Sequence, residues 1–177
     1  MLNERQIDAM DRRLAAIHEA GHVIVAMHLG LLSGYAWITP NEARGDEIRF
    51  WIGSARFPGA ICLNEMERPM LACAGAVAEV CWERASVDSL YWVDPDFMSL
   101  SDWRLAGCKP GEPDPLCERA IQHLEPLLSE DGILWSSLLR VARRLIVKRW
   151  VSIEALWKAG GVPLSTEAYY EPRGRSV

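Results

Sequence analysis

The residues best suited to chemistry are His18-Glu19-Ala20-Gly21-His22, an H-E-x-x-H spacing. They lie in a segment where Ile7, Met10, Leu14, Ile17, Gly21 and Val25 recur every three or four residues, which predicts one amphipathic helix. Residues four apart share a helix face, one turn above each other, so His18 and His22 can aim at a common point. Two neutral imidazole nitrogens there would grip one metal ion, at roughly 2.0–2.1 Å each for zinc. Glu19 sits about 100° round the helix from His18. That is off the ligand face but within reach of a water held at the metal, where a carboxylate acts as general base. Leu14, Ala15, Ala16 and Ile17 precede the motif and Val23, Ile24, Val25 and Ala26 follow it. A helix that apolar is mostly buried, and its histidines need partners. Gly21 costs up to about 1 kcal/mol relative to Ala in a helix interior, so it predicts close approach by another backbone.

A hydrolytic zinc takes three protein ligands and keeps a position for water. Four later aspartates compete for the third place: Asp88, Asp94, Asp96 and Asp102. Asp94 and Asp96 flank Pro95 and look like turn residues, and Asp88 could cap a turn. Asp102 falls in the first turn of a short helix capped by Ser99 or Ser101. Spacing alone does not choose among them. Glu79 lies among apolar neighbours, where a carboxylate is expensive unless paired. It can orient a metal-bound histidine from behind, serve as an alternative third ligand, or form a salt bridge with Arg84.

His18-Glu19-Ala20-Gly21-His22-Val23-Ile24-Val25-Ala26 resembles the zinc helix of the FtsH-family peptidases, the membrane-anchored AAA+ zinc proteases. Ala74-Gly75-Ala76-Val77-Ala78-Glu79 is similar to that family's A-G-x-x-A-E helix. Ser101-Asp102-Trp103-Arg104-Leu105-Ala106 sits where the family carries N/S-D-x-x-x-A, whose aspartate is the third zinc ligand. The resemblance covers most of residues 7–160, in the same order. It implies a helical zincin-like domain and a zinc metallopeptidase, with His18, His22 and Asp102 as ligands and Glu19 as the base. The chain departs from the family in having neither a G-x-x-x-x-G-K-[ST] loop nor a membrane span. The expectation is therefore a peptidase module without ATP-driven unfolding. It would act on unfolded or flexible polypeptide, alone, as a homo-oligomer, or with a separately encoded partner. The alternative is a catalytically silent, peptidase-like binding or adaptor module that keeps the fold. Metal-assisted hydrolysis of a non-peptide amide is a third reading.

The elements that must position these residues read as mainly α with one small β-hairpin. Residues 4–29 form the first helix, from an Asn3 cap to a Gly30 stop. Residues 35–39 and 47–52 form the hairpin, whose edge near the metal could hold a peptide backbone by strand addition. Residues 53–65 read as a linker carrying Pro58-Gly59. Residues 66–84 form the second helix, whose Ala72, Ala74, Gly75, Ala76 and Ala78 let it approach the first at Gly21. Residues 85–102 form an acidic, aromatic loop. Asp114-Pro115 starts a helix that ends near Pro126. Residues 131–149 form a long amphipathic helix with Ile133, Leu134, Leu138, Val141, Leu145 and Ile146 on its apolar face. Ser152 caps a last helix through Ala159.

A chain of 177 residues, half of them hydrophobic and 24% charged, fits one globular domain, here residues 1–160 with a loose polar tail at 161–177. The net charge of −5 argues against nucleic acid as the partner. The cluster of Arg140, Arg143, Arg144, Lys148 and Arg149 reads as a solvated helix face. No stretch reaches the roughly 18–20 apolar residues of a membrane span, and Met1-Leu2-Asn3-Glu4-Arg5 does not resemble a signal peptide. Cys62, Cys73, Cys81, Cys108 and Cys117 are odd in number, with no framework or zinc-site spacing, and read as reduced thiols of a cytoplasmic protein. His28 and His123 read as ordinary packing or surface residues.

Overall fold

A computed structural model describes residues 3–42, 50–85, 98–110 and 114–159. Its axis is helix α1 (Glu4–His28). Asn3 opens it with a capping box: its side chain accepts from the Gln6 N–H, and the Gln6 side chain accepts from the Asn3 N–H. Gly30, at φ 79°, reverses the chain after it. From Ala15 to Met27 almost every residue is buried on all sides, as the apolar composition requires. The first half is different. Ile7 and Met10 are exposed, so the buried stripe begins about two turns later than the periodicity predicts.

Three layers wrap the buried half of α1. Helix α2 (Glu67–Glu83) packs along one side. A Cβ added at Gly21 would lie 2.5 Å from the Ala74 carbonyl oxygen and 2.8 Å from the Ala78 Cβ, so the two backbones meet where the small residues predict. Helix α5 (Trp135–Lys148) packs on another side, and a small sheet covers the third.

The sheet has three antiparallel strands in the order β2-β1-β3. β1 (Tyr35–Pro40) is central. It pairs with β2 (Trp51–Arg56), Tyr35 opposite Arg56 and Pro40 opposite Trp51. On its other side it pairs with β3 (Trp150–Ser152), Trp37 opposite Trp150. The expected hairpin is thus present but shifted and extended. Residues 47–49 of its second strand lie outside the described residues. The strand runs on through Gly53, Ser54 and Ala55, which had read as linker, and Pro58–Cys62 forms a short 3-10 turn after it. Trp51 fastens β2 to α1: its backbone N–H donates to Asp11 Oδ2 at 2.6 Å and its indole N–H to Asp8 Oδ1 at 2.9 Å. The guanidinium groups of Arg12 and Arg149 lie 4.6 and 5.4 Å from its ring centre.

Helix α3 (Leu100–Ala106) packs against α2 and brings Trp103 into the core. Helix α4 (Pro115–Leu128) starts on an Asp114 cap, as expected, but continues through Pro126. The proline takes its own N–H out of the ladder, yet the helix closes normally, the Ser129 N–H donating to Glu125 C=O at 2.9 Å. Helix α5 begins at Trp135, not 131. Residues 129–134 form a tight reversal in which Leu134 N–H donates to Leu127 C=O, and Ile133 is exposed, not part of the apolar face. Arg149, in the left-handed conformation at φ 61°, ends α5 and turns the chain straight into β3. That conformation costs roughly 1–2 kcal/mol for a residue with a side chain. Ser152 then caps α6 (Ile153–Lys158) through its hydroxyl on the Ala155 N–H. Among the described residues no helix is long and apolar enough to cross a membrane. The acidic loop with Asp88, Asp94 and Asp96, and the tail beyond 160, lie outside the described residues.

Candidate metal centre

His18 and His22 occupy one face of α1 with their ring centres 4.9 Å apart. Each ring is held from behind. His22 Nδ1 donates to the Leu71 carbonyl oxygen at 2.8 Å. A carbonyl only accepts, so this proton sits on Nδ1 and the Nε2 lone pair is bare in the neutral ring. His18 Nδ1 donates to Glu79 Oε1 at 2.9 Å, which leaves its Nε2 in the same state. The two Nε2 atoms face each other at 3.2 Å. Asp102, from the first turn of α3, closes the group: its carboxylate oxygens lie 3.9 Å from His18 Nε2 and 3.7 Å from His22 Nε2. Two lone pairs and a carboxylate therefore converge on one point.

Donors bound to one ion at roughly 2.0–2.1 Å in tetrahedral geometry stand about 3.3–3.4 Å apart. The two Nε2 atoms, 3.2 Å apart, already stand near that separation; Asp102 reaches His18 through Oδ2 and His22 through Oδ1, so a turn of its side chain would bring one oxygen onto the same ion. A second observation agrees. Glu19 is buried, and its Oε2 has no hydrogen-bond partner. A bare buried carboxylate oxygen costs several kcal/mol unless something cationic or hydrated meets it.

The titration behaviour follows from the same geometry. Burial alone would lower the His18 pKa. The Glu79 hydrogen bond and charge, with Glu19 and Asp102, outweigh it and raise it to about 9. Glu19 is raised to about 7, chiefly by burial, with the His18 charge opposing and Asp102 and Glu79 adding to the rise. His22 is lowered, first by burial, which the Asp102 charge opposes and the His18 charge reinforces. Metal-free, His18 takes a proton more readily than His22. A dication would take that proton's place.

Glycines let these side chains seat. A Cβ at Gly75 of α2 would lie 2.5–2.6 Å from the His18 ring. A Cβ at Gly53 of β2 would run into the Glu19 carboxylate. Ser99 holds the third carboxylate: its hydroxyl donates to Asp102 Oδ2 at 2.7 Å, and its Oγ accepts from the Asp102 N–H. Of the two serines proposed as the α3 cap, Ser99 takes that place. Arg84 pairs with Glu130 at 2.8 Å, so of the three roles open to Glu79 the salt bridge to Arg84 is not made, and the contact to His18 is. Glu79 sits on the Nδ1 side of that ring, away from the point where the Nε2 atoms meet. Neither the Leu71 carbonyl nor Gly53 carries a local signal of its role: an isolated glycine in a strand marks close approach by a neighbour, but Gly53-Ser54-Ala55 lacks strand composition.

A cavity of about 300 Å³ opens onto the group, lined by His18, Glu19, His22 and Asp102 on one side and by Trp51, Ile52, Gly53, Ser54, Ala55 and Phe57 on the other. Side chains alternate along a strand, so five consecutive residues reach one cavity only along the strand's edge. Among the described residues β2 pairs with β1 alone, so apart from the Trp51 N–H, which Asp11 takes, its outer backbone edge carries no partner strand. His28 and His123 lie apart, lining a separate cavity with Glu67 and Arg119. Burial pulls the His28 pKa down, and the neighbouring His123 adds to it.

No protein-family model matches the chain, and no curated protein matches it.

Proposed function

We propose that this chain is a zinc-dependent metallopeptidase that hydrolyses peptide bonds without ATP-driven unfolding. The observation that carries the reading is the pair of imidazoles whose Nδ1 protons are both committed elsewhere, so that both Nε2 lone pairs converge with Asp102. His18, His22 and Asp102 would hold the ion. Bound there, zinc supplies polarisation of the scissile carbonyl and lowers the pKa of a water from ~15.7 toward ~7. Glu19 takes the proton of the attacking water on Oε2 and returns it to the leaving amine. Glu79 and the Leu71 carbonyl fix the tautomer and the angle of the two rings. The outer edge of β2 would bind substrate backbone in extended form by strand addition, which favours unfolded or flexible polypeptide. The motif order resembling the FtsH-family peptidases supports the same assignment.

The test is hydrolysis of a denatured protein by zinc-loaded wild type beside Glu19→Gln. The variant should keep its zinc and lose roughly 10²–10⁴ in rate. Equal rates in the two proteins would end the proposal. Zinc bound with no cleavage in either would make the protein a silent binding module.

A further inference from the structure

We propose a second metal site, built from Cys108, Asp114 and Cys117, that takes a borderline-soft divalent cation of the zinc class. One sulfur or oxygen atom from each lies within 4.8 Å of the others. Cys108 and Cys117 lie nine positions apart, a spacing that matches no zinc-site signature, so the sequence does not single the group out. The fold brings them together because α3 and α4 both pack on α2.

The geometry suits a metal better than a bond between the sulfurs. Cys108 Sγ and Cys117 Sγ are 3.5 Å apart. Two thiolates on one zinc at roughly 2.3 Å stand about 3.8 Å apart in tetrahedral geometry, whereas a disulfide requires about 2.05 Å. Each ligand is also held by structure that owes nothing to a metal. Cys108 follows Gly107, the left-handed cap of α3 at φ 80°. Asp114 caps α4 by accepting from the Leu116 and Cys117 N–H groups at 2.8 and 3.1 Å. Cys117 lies in the first turn of that helix.

The surroundings select the cation. A further buried thiol, Cys73 of α2, donates to Met98 Sδ at 3.8 Å. Such soft donors disfavour magnesium and calcium and favour zinc or its neighbours in the first transition row. Cys108 and Asp114 also line a surface cavity of about 410 Å³ with Leu63, Glu65 and Arg68, which supplies an entry path and room for a fourth ligand. A cation there would pin the end of α3, the helix that carries Asp102, to α4.

The probe is cobalt(II), added to the reduced full-length protein. Thiolate ligands give a near-ultraviolet charge-transfer band, which the His18, His22 and Asp102 group cannot produce because it has no sulfur. The band should saturate within two equivalents in wild type and at one equivalent in His18→Ala/His22→Ala, and bleach on adding zinc. It should vanish in Cys108→Ser and in Cys117→Ser, and survive in Cys62→Ser and Cys81→Ser. Cys108 is only half-buried, so its variant keeps the test decisive if Cys117→Ser unfolds. No band in reduced wild type would overturn the proposal. So would a band that survives Cys108→Ser, or loss of two thiols to a 108–117 disulfide in air with no band under reduction. Because the histidine variant is measured in parallel, failure here is distinct from failure of the peptidase centre.

Discussion

Glu79 sets what His18 can do, because it meets the ring on the nitrogen that does not face the metal position. A carboxylate there fixes the tautomer and makes the opposite nitrogen a stronger donor. Glu79→Ala should therefore lower zinc affinity about 10- to 100-fold while the helices persist, as read by competition with a chelating dye and by far-ultraviolet circular dichroism. An unchanged affinity would reduce Glu79 to a packing residue. Asp102 makes a sharper demand. It is the only carboxylate among the described residues grouped with both Nε2 atoms, so Asp102→Ala should weaken or abolish zinc binding outright, measured as metal per chain by elemental analysis. Zinc retained in full would move the third ligand elsewhere.

Two glycines separate stability from metal binding at the level of the helix pair. Gly21→Ala places a Cβ 2.5 Å from the Ala74 carbonyl oxygen, a backbone atom that cannot swing aside. Overpacking of this kind costs about 1–3 kcal/mol, against at most about 1 kcal/mol gained in helix propensity. Gly75→Ala instead drives a Cβ into the His18 ring, which can rotate, but only by leaving Glu79. Urea midpoints and zinc content should therefore diverge: Gly21→Ala loses stability first, and Gly75→Ala loses zinc first. If both lose the same property, the contacts do not divide as argued. Gly21 and the small residues of α2 made this contact legible in the sequence, as the Asn3 and Gly30 signals did the bounds of α1. The sheet was less legible. Gly53, Ser54 and Ala55 carry little strand propensity; they are small because Glu19 and the cavity lie against them, and that appears only in three dimensions. Trp150, Val151 and Ser152 form a strand too short to show a period. Cys108 and Cys117 meet because α3 and α4 both pack on α2, which no local pattern encodes.

At the scale of the whole molecule, the buried group of His18, Glu19 and His22 makes stability depend on pH with a definite sign. His18 is raised from its ordinary 6.5 to about 9. Between those values the folded protein keeps a proton that the unfolded chain has released. The resulting stability is complete below pH 6.5 and is lost as pH rises through about 9. Glu19, raised from 4.5 to about 7, acts with the same sign lower down: its contribution is full below 4.5 and is lost as pH rises through 7. His22 is lowered and opposes, its contribution being present above 6.5 and lost as pH falls. Above neutrality His18 therefore governs. A bound dication must displace the His18 proton, so apparent zinc affinity should climb by about tenfold per pH unit while that proton is released. Each tenfold adds about 1.4 kcal/mol to the stability of the loaded protein at fixed free zinc well above Kd. Between pH 6.5 and 9 the Tm of metal-free protein should fall, and the zinc-induced rise in Tm should widen. Glu79→Gln keeps an acceptor for His18 Nδ1 but removes the charge that raises it, so its melting curves should lose much of both trends. Thermal melts in chelator and in buffered zinc read this directly. A zinc-induced rise that stays flat across the window, or slopes equal in wild type and Glu79→Gln, would mean that His18 does not hold the proton the metal must displace.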